Sequence, residues 1–424
     1  MRLLFREARV WDGTGAPPVM ADVLVEGERI AAVMPLPSRL HADDARVIEA
    51  AGRFLMPGLV EGHAHPSFCE RPQSVDLGEI PPEEHTLETM YNARRLLEAG
   101  FTSAFSAASA KLRLDVVIRD AIEAGRIPGP RLKAASPEIT VTGGLGDERL
   151  LHLERQSFGL IADGPDELAR AVRLCAREGV DTIKLNVSGD GPIRAARSRM
   201  TVMREAELRV ACEVAHDFGK TVAVHARASH SVQRALDCGA DVLYHCEFAD
   251  EAALDRLEAE RDRIFLGPAI APIYNSLHPP EGVLPLRDPA RIAHLQDTLE
   301  HAVRTYQAVR RRGIRVVIGG DYGFPVTPQG TNARDLELYV KLFGYTPSEA
   351  LQCATRVGGE LMGISVGLVR AGYLADLLLV DGDPLEDVRV LQDRARLAMI
   401  VQGGRVFWEG GRDSWEGGRG KGEG

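Results

Sequence analysis

Gly58-Leu59-Val60-Glu61-Gly62-His63-Ala64-His65-Pro66 is a short apolar run that closes on two histidines, two residues apart. The run reads as a strand over Gly58–His63. Residues i and i+2 of a strand project to the same face, so both imidazoles can reach one metal ion. The plainer alternative is two polar residues at a strand end. What weighs between the two readings is the rest of the chain, because a strand that ends in ligands and is followed by a helix is the repeating unit of an α/β barrel.

Outward from this stretch the pattern repeats. Short β-branched runs bounded by glycine fall at Thr102–Ala107, Arg131–Ile139, Thr182–Val187, Thr221–His225, Val242–His245, Ile264–Gly267 and Arg315–Gly319. Segments rich in helix formers separate them: Glu88–Ala99, Leu114–Ala124, Glu167–Glu178, Arg204–Phe218, Ala252–Ala259, Ala290–Arg312 and Arg334–Lys341. Eight strands with a helix after most of them predict a (β/α)₈ barrel, in which catalytic groups sit at the C-terminal ends of the strands. Both ends of the chain read differently. Asp22–Val33 is a hairpin around Gly27, and Ala375–Val380, Leu397–Val401 and Gly403–Trp408 are short apolar strands. The expected division is a small β domain from residues 1–55 and 363–412, the barrel at 56–362, and a glycine-rich, frayed tail at 413–424.

The length of 424 residues suits this plan, and 45% hydrophobic residues exclude disorder for the bulk of the chain. With 51 basic and 61 acidic residues the net charge is −10, which argues against nucleic-acid binding. No apolar run is long enough to cross a membrane, and Arg6-Glu7 interrupts any leader-like start. Six scattered cysteines with no C-x-x-C spacing point to neither a thiolate zinc site nor a disulfide framework. A reduced, cytoplasmic enzyme is the expectation.

Further ionisable residues fall at the ends of other predicted strands. Lys184 stands in the middle of Thr182-Ile183-Lys184-Leu185-Asn186, where an ammonium is costly unless paired or chemically changed. A lysine of lowered pKa is nucleophilic and can take up carbon dioxide to give an anionic carbamate able to bridge two cations. Neutralisation by a carboxylate such as Asp321 is the alternative. His225 and His245 end the fifth and sixth strands. Asp321 ends the eighth among glycines, as a turn residue or as a carboxylate that binds metal and takes a proton from water.

This set of H-x-H, Lys, His, His and Asp resembles the amidohydrolase superfamily. The entry Met56–His65 and the return Ala371–Leu377 with Asp381-Gly382-Asp383-Pro384-Leu385 are similar to that family, over nearly the whole chain. Gly320-Asp321-Tyr322-Gly323, Gly330–Leu338 and Thr142-Gly143-Gly144-Leu145-Gly146-Asp147 resemble its imidazolonepropionase-like and Xaa-Pro dipeptidase-like branch, which is also similar to ochratoxin-type amidases and phenylurea and thiocarbamate hydrolases. The resemblance implies a distorted (β/α)₈ barrel with a β-sandwich built from both termini. It implies two divalent ions, zinc first, with one ion as the alternative. His63, His65 and Asp321 would hold the more buried ion and His225 and His245 the second, with N-carboxylated Lys184 between them. Leu145 and Gln329 depart from the branch, where many relatives carry histidine.

The implied function is hydrolysis of a C–N bond in an amide, dipeptide, aryl urea or carbamate, with Asp321 as the proton-transfer residue. Deamination of a heterocycle at a single metal is the competing reading, with Glu247 its nearest acid; a non-catalytic relative is the third. Asn186, His152, Arg155, His230 and Tyr322 are candidate substrate contacts, and Arg155 and Arg227 candidate partners for a carboxylate. Phe68, Tyr274 and Phe324 are candidates to line an apolar pocket, with Ile273–Pro280 a loop that acts as a lid. Tyr244, of opposite parity to His245, is expected to point away from the barrel interior. The expected partner is a small molecule, with no nucleic acid and no membrane, and a homo-oligomer follows from the habit of the relatives.

Overall fold

The computed structural model describes residues 2–153, 155–191, 195–410 and 412–413. The expected tail lies outside these residues from 414 onward; Asp413 itself pairs with Trp408 in the last strand. No helix among the described residues is long and apolar enough to cross a membrane.

The barrel is built in chain order. Leu59–Ala64, Phe101–Ser106 and Arg131–Lys133 form one parallel run. Ala135–Thr140, Thr182–Asn186, Thr221–Ala228, Val242–Phe248 and Phe265–Gly267 form the other. The third predicted strand is therefore broken at Ala134, whose carbonyl accepts from the N–H groups of Asp181 and Thr182 and so ties the break to the fourth strand. The eighth predicted strand, Arg315–Gly319, is not a regular strand. It makes one parallel bridge, Val316 to Leu266, and Gly62 N donates to Ile318 O at 2.9 Å. Two further groups bond to side chains, since Gly319 N donates to Asp335 Oδ2 and Tyr339 Oη donates to Val317 O, while Gly319 O accepts from Ala269 N. A segment whose polar groups are satisfied by side chains has fewer left for a ladder. The barrel is accordingly distorted where its first and last segments meet.

Glycines allow that meeting. A Cβ at Gly62 would lie 2.6 Å from Val317 Cγ2, and one at Gly319 2.7 Å from His63 N. Helices pack outside, among them Pro82–Glu98, Pro165–Arg177, Glu205–Asp217 and Pro289–Arg311, and their apolar faces join the strands in one core. The interior is filled by Val60, Phe105, Ala223, Val242, Tyr244 and Val317. The expected lid is instead mostly a helix, Ile270–Leu277, because Ile270, Ala271, Ile273 and Tyr274 bury against the core.

The chain ends build one nine-stranded sheet rather than two separate ones, with Phe54–Pro57 pairing Leu377–Val380 at its centre. Val25 and Ile30 from one end share a core with Met399 and Val401 from the other, so the sheet curls over itself. The chain leaves this sheet at Pro57 and enters the barrel at Leu59, which sets the start of the first barrel strand.

Candidate metal centre

His63 and His65 sit at the end of the first barrel strand, both almost fully buried. Asp321, at φ +56° after Gly319-Gly320, turns back toward them. Its Oδ1 lies 3.0 Å from His65 Nε2 and 3.9 Å from His63 Nε2. One ligand atom from each of the three falls within 4.8 Å of the others. His65 Nδ1 is 3.0 Å from the Ala108 carbonyl, a contact that requires N–H at Nδ1 and leaves Nε2 as a lone pair facing Asp321.

His225 and His245 form a pair beside this group, with ring centroids 4.2 Å apart; the His245 ring lies 5.6 Å from that of His63. His225 Nε2 bonds to Gly189 O, which leaves its Nδ1 free to act as a ligand. The Nδ1 atoms of His63 and His245 are buried with no partner. Burial lowers the pKa of His63 and His245 well below the ordinary imidazole value and that of His225 to about 3. Neutral, buried imidazoles with unpaired nitrogens beside a carboxylate fit a divalent cation.

Lys184 is buried on the fourth strand, next to Ala223 in register. Burial pulls its pKa down to about 8, against the charges of Glu138 and Asp321. Burial works against an ionised Asp321, yet His63, His65 and Lys184 hold its carboxyl well below the usual range.

Tyr244 corrects the parity expectation. Val242 and Tyr244 both face the interior, and the Tyr244 ring stacks on His63 at 3.7 Å and lies 4.5 Å from Lys184 Nζ. Its hydroxyl donates to Gly62 O at 2.8 Å. His245 reaches the site all the same because its backbone leaves the strand conformation, at φ +75°. Simple alternation fails at that residue. Gly267 on the seventh strand makes room, since a Cβ there would lie 2.8 Å from Tyr244 Cδ1.

A set of buried acids, of which the sequence singled out only Glu247, packs behind the candidate ligands. Glu61 accepts from His63 N and from Asn332 Nδ2 at 2.8 Å. Asp335 accepts from Gly319 N and from the Tyr322 hydroxyl. Arg227 bonds to Glu247 and to Asp190, so it is committed to two carboxylates beside His225 and His245. Gln329 donates to His65 O at 2.8 Å and fixes the turn after the ligand strand. Glu61 and Glu138 carry the same signal as Lys184, a charge inside an apolar strand, and could have been found by it.

The remaining candidates divide. Asn186 faces the interior, where Nδ2 donates to Glu138 Oε2 at 2.7 Å and to Leu145 O. Phe68 stacks on His65 at 4.2 Å and meets Phe158 and Phe324 edge-on, so an aromatic wall adjoins the ligands. Tyr274 lies apart from them, bonded to Lys341 and with its ring tilted at 39° to that of His278. Tyr322 is buried but its hydroxyl is turned to Asp335. His152 is exposed, His230 is exposed against Arg234, and Arg155 bonds to Glu148 O; none of the three contacts the ligand cluster. A cavity of about 670 Å³ at the other end of the strands, beside Arg131 and Asp181, shares no residue with the cluster.

The model of the Amidohydrolase family matches residues 54–407. Ochratoxinase of Aspergillus niger is 27% identical over 309 residues, which is 68% of this chain and 62% of that protein's length. Its crystal structure aligns with a TM-score of 0.85 at 23% identity, covering 99% of this chain and 98% of that one, a likeness of fold. Imidazolonepropionase of Cereibacter sphaeroides is 23% identical over 397 residues, 89% of this chain and 92% of its own. The structure of a Xaa-Pro dipeptidase with bound methionine aligns at a TM-score of 0.83 and 24% identity, covering 97% and 100% of the two chains.

Proposed function

The chain belongs to the amidohydrolase family, and on that premise we propose that it hydrolyses a C–N bond of an amide or dipeptide with the aid of two divalent ions. The observation that carries the reading is the convergence of His63, His65 and Asp321 beside the pair His225 and His245, with His63 and His245 each keeping a buried, unpartnered Nδ1. His63, His65 and Asp321 would hold one ion and His225 and His245 the other, with Lys184 as a carbamate between them. A bound divalent ion supplies a water of lowered pKa and polarises a carbonyl.

The protein's own groups supply the rest. Asp321 accepts the proton of the attacking water and delivers it to the leaving nitrogen, which an amide needs because its anion leaves poorly. His65 is held in one tautomer by Ala108 O, and His225 in one by Gly189 O. The Lys184 amine adds to carbon dioxide, forming an N–C bond and releasing a proton, which a pKa of about 8 favours near neutral pH. The wall of Phe68, Phe158 and Phe324 excludes water on one side and suits an apolar or aryl substituent. The substrate is a small molecule. Aryl ureas and carbamates are the next substrates to try, and a single-metal heterocycle deaminase is the rival.

The test is elemental analysis of protein purified without chelator, followed by a substrate screen. About two ions per chain with amide or dipeptide cleavage supports the reading. One ion, with release of ammonia from heterocyclic amines, replaces it by the deaminase. No bound metal after incubation with zinc or manganese overturns both.

A further inference from the structure

The proposed chemistry leaves one carboxylate at the site without a task. Glu138 lies on the third barrel strand, in register with Lys184 on the fourth, and is 7% exposed. It is not part of the tight ligand group His63, His65 and Asp321. Among the described residues it makes no ion pair. Asn186 holds it in place: Nδ2 donates to Glu138 Oε2 at 2.7 Å and to Leu145 O at 2.9 Å. Gly146 packs against the same oxygen, where a Cβ would come within 3.0 Å. This is a built position, not a side chain left to solvent.

The second observation is the other end of the Asn186 amide. Its Oδ1 is buried and has no donor. Reversing the amide would set that oxygen against the Glu138 carboxylate, so the orientation is fixed by the bond to Glu138. Burial raises the pKa of Glu138, so its charge needs a partner, and the carboxylate, when ionised, and the orphaned amide oxygen on the adjacent strand both call for N–H donors. An ammonium offers three donors and one positive charge. Lys184 cannot serve once it is a carbamate, since it is then an anion itself.

We propose that Glu138 and Asn186 form the seat for a protonated amine of the substrate, placed on the acyl side of the scissile bond. The inference rests on the hydrolase reading above. Glu138 is in register with Lys184, which on that reading would lie between the two metal sites, so a cation seated there would sit beside the reacting carbonyl. The substrate class is then an aminoacyl amide or a dipeptide with a free N-terminus, rather than a neutral aryl amide.

The experiment compares phenylalanyl-phenylalanine with 3-phenylpropionyl-phenylalanine, which lacks only the amine, on the metal-loaded full chain and on Glu138→Gln. Charge-assisted hydrogen bonds of this kind correspond to about 10–100-fold. The wild type is expected to favour the free amine by that factor in kcat/KM, and the ratio to fall to within a few-fold of one in Glu138→Gln. A wild type that treats the pair alike overturns the inference, and so does a variant that keeps the preference. If Glu138→Gln does not fold, the wild-type ratio decides alone. If the metal-loaded chain cleaves neither compound, the dipeptidase form of the hydrolase reading fails, and the seat is judged by calorimetric binding of the same two compounds to both proteins, where equal affinities overturn it.

Discussion

The Tyr244 ring stacks on the His63 ring at 3.7 Å with 21° between their planes, while its hydroxyl is bonded to the carbonyl of Gly62, the residue before His63. One aromatic side chain from the sixth strand therefore fixes both the ring and the backbone of a ligand on the first. Tyr244→Phe removes only the hydrogen bond and should cost about 1 kcal/mol. Tyr244→Ala empties the space under His63 and Lys184 and should cost about 3–5 kcal/mol. Urea unfolding measures both, and metal content should fall in the second variant alone.

Lys184→Ala should lower bound metal from about two ions per chain to about one and reduce hydrolysis by more than the about 10–100-fold typical of outer-sphere changes. Added acetate or formate should restore part of both, because a small carboxylate can take the place of a carbamate. Full metal content in the variant without any added acid would refute the bridging role.

Asp335 acts one step behind the ligands. It holds Gly319 N and the Tyr322 hydroxyl, and so sets the backbone that carries Asp321. Asp335→Ala should weaken metal binding by about 10–100-fold, with little change in far-ultraviolet circular dichroism. Competition with a fluorescent chelator gives the affinity directly; parental affinity would show that Gly319 and Asp321 hold their places without it.

Gly319→Ala tests the closure of the barrel. Its Cβ would collide with His63 Cβ and lie 2.7 Å from His63 N, where only backbone movement gives relief. The cost should exceed the about 1–3 kcal/mol usual for overpacking. Thermal unfolding of the metal-free protein is the measurement, and an unchanged midpoint would mean the two segments can separate freely.

In metal-free protein Glu61 and Asp335 should contribute stability that is lost as the pH rises, opposite in sign to the contribution of His63, His225, His245 and Lys184, whose pKa values burial lowers. Burial and the Asp335 charge raise Glu61 to about 8, and burial raises Asp335 to about 7. Unfolded carboxyls titrate near about 4, so between about pH 4 and pH 8 these two side chains bind more protons folded than unfolded. Their contribution is then highest below the unfolded value and is lost as the pH rises through the folded one. Urea unfolding of the wild type and of Glu61→Gln at about pH 5.5 and about pH 8.5 isolates the Glu61 share: the stability of the wild type relative to the variant should fall over that range, and an unchanged difference would refute it.

The alternation of glycine-bounded strands with helices, and a histidine, lysine or aspartate at a strand end, were legible from residue order alone. Both are local properties: side-chain parity and the cost of a charge in an apolar strand act within a few residues. That is why His63, His65, Lys184, His225, His245 and Asp321 could be named, and why Lys184 stood out. What the chain order could not supply was any relation that depends on where a strand stops being regular. His245 and Asp321 turn inward at positive φ, so parity misplaced Tyr244, and the eighth segment gives two of its polar groups to Asp335 and Tyr339 and keeps only a single bridge. Pairing across the barrel lies in the same class. Asn332 reaches Glu61 from 271 residues away, and Asn186 finds Glu138 only because the third and fourth strands align in register. Residue order is enough to say which ionisable groups stand at the strand ends. Tertiary structure decided which of those groups meet, because burial and hydrogen-bond satisfaction are settled by neighbours that are distant in the chain.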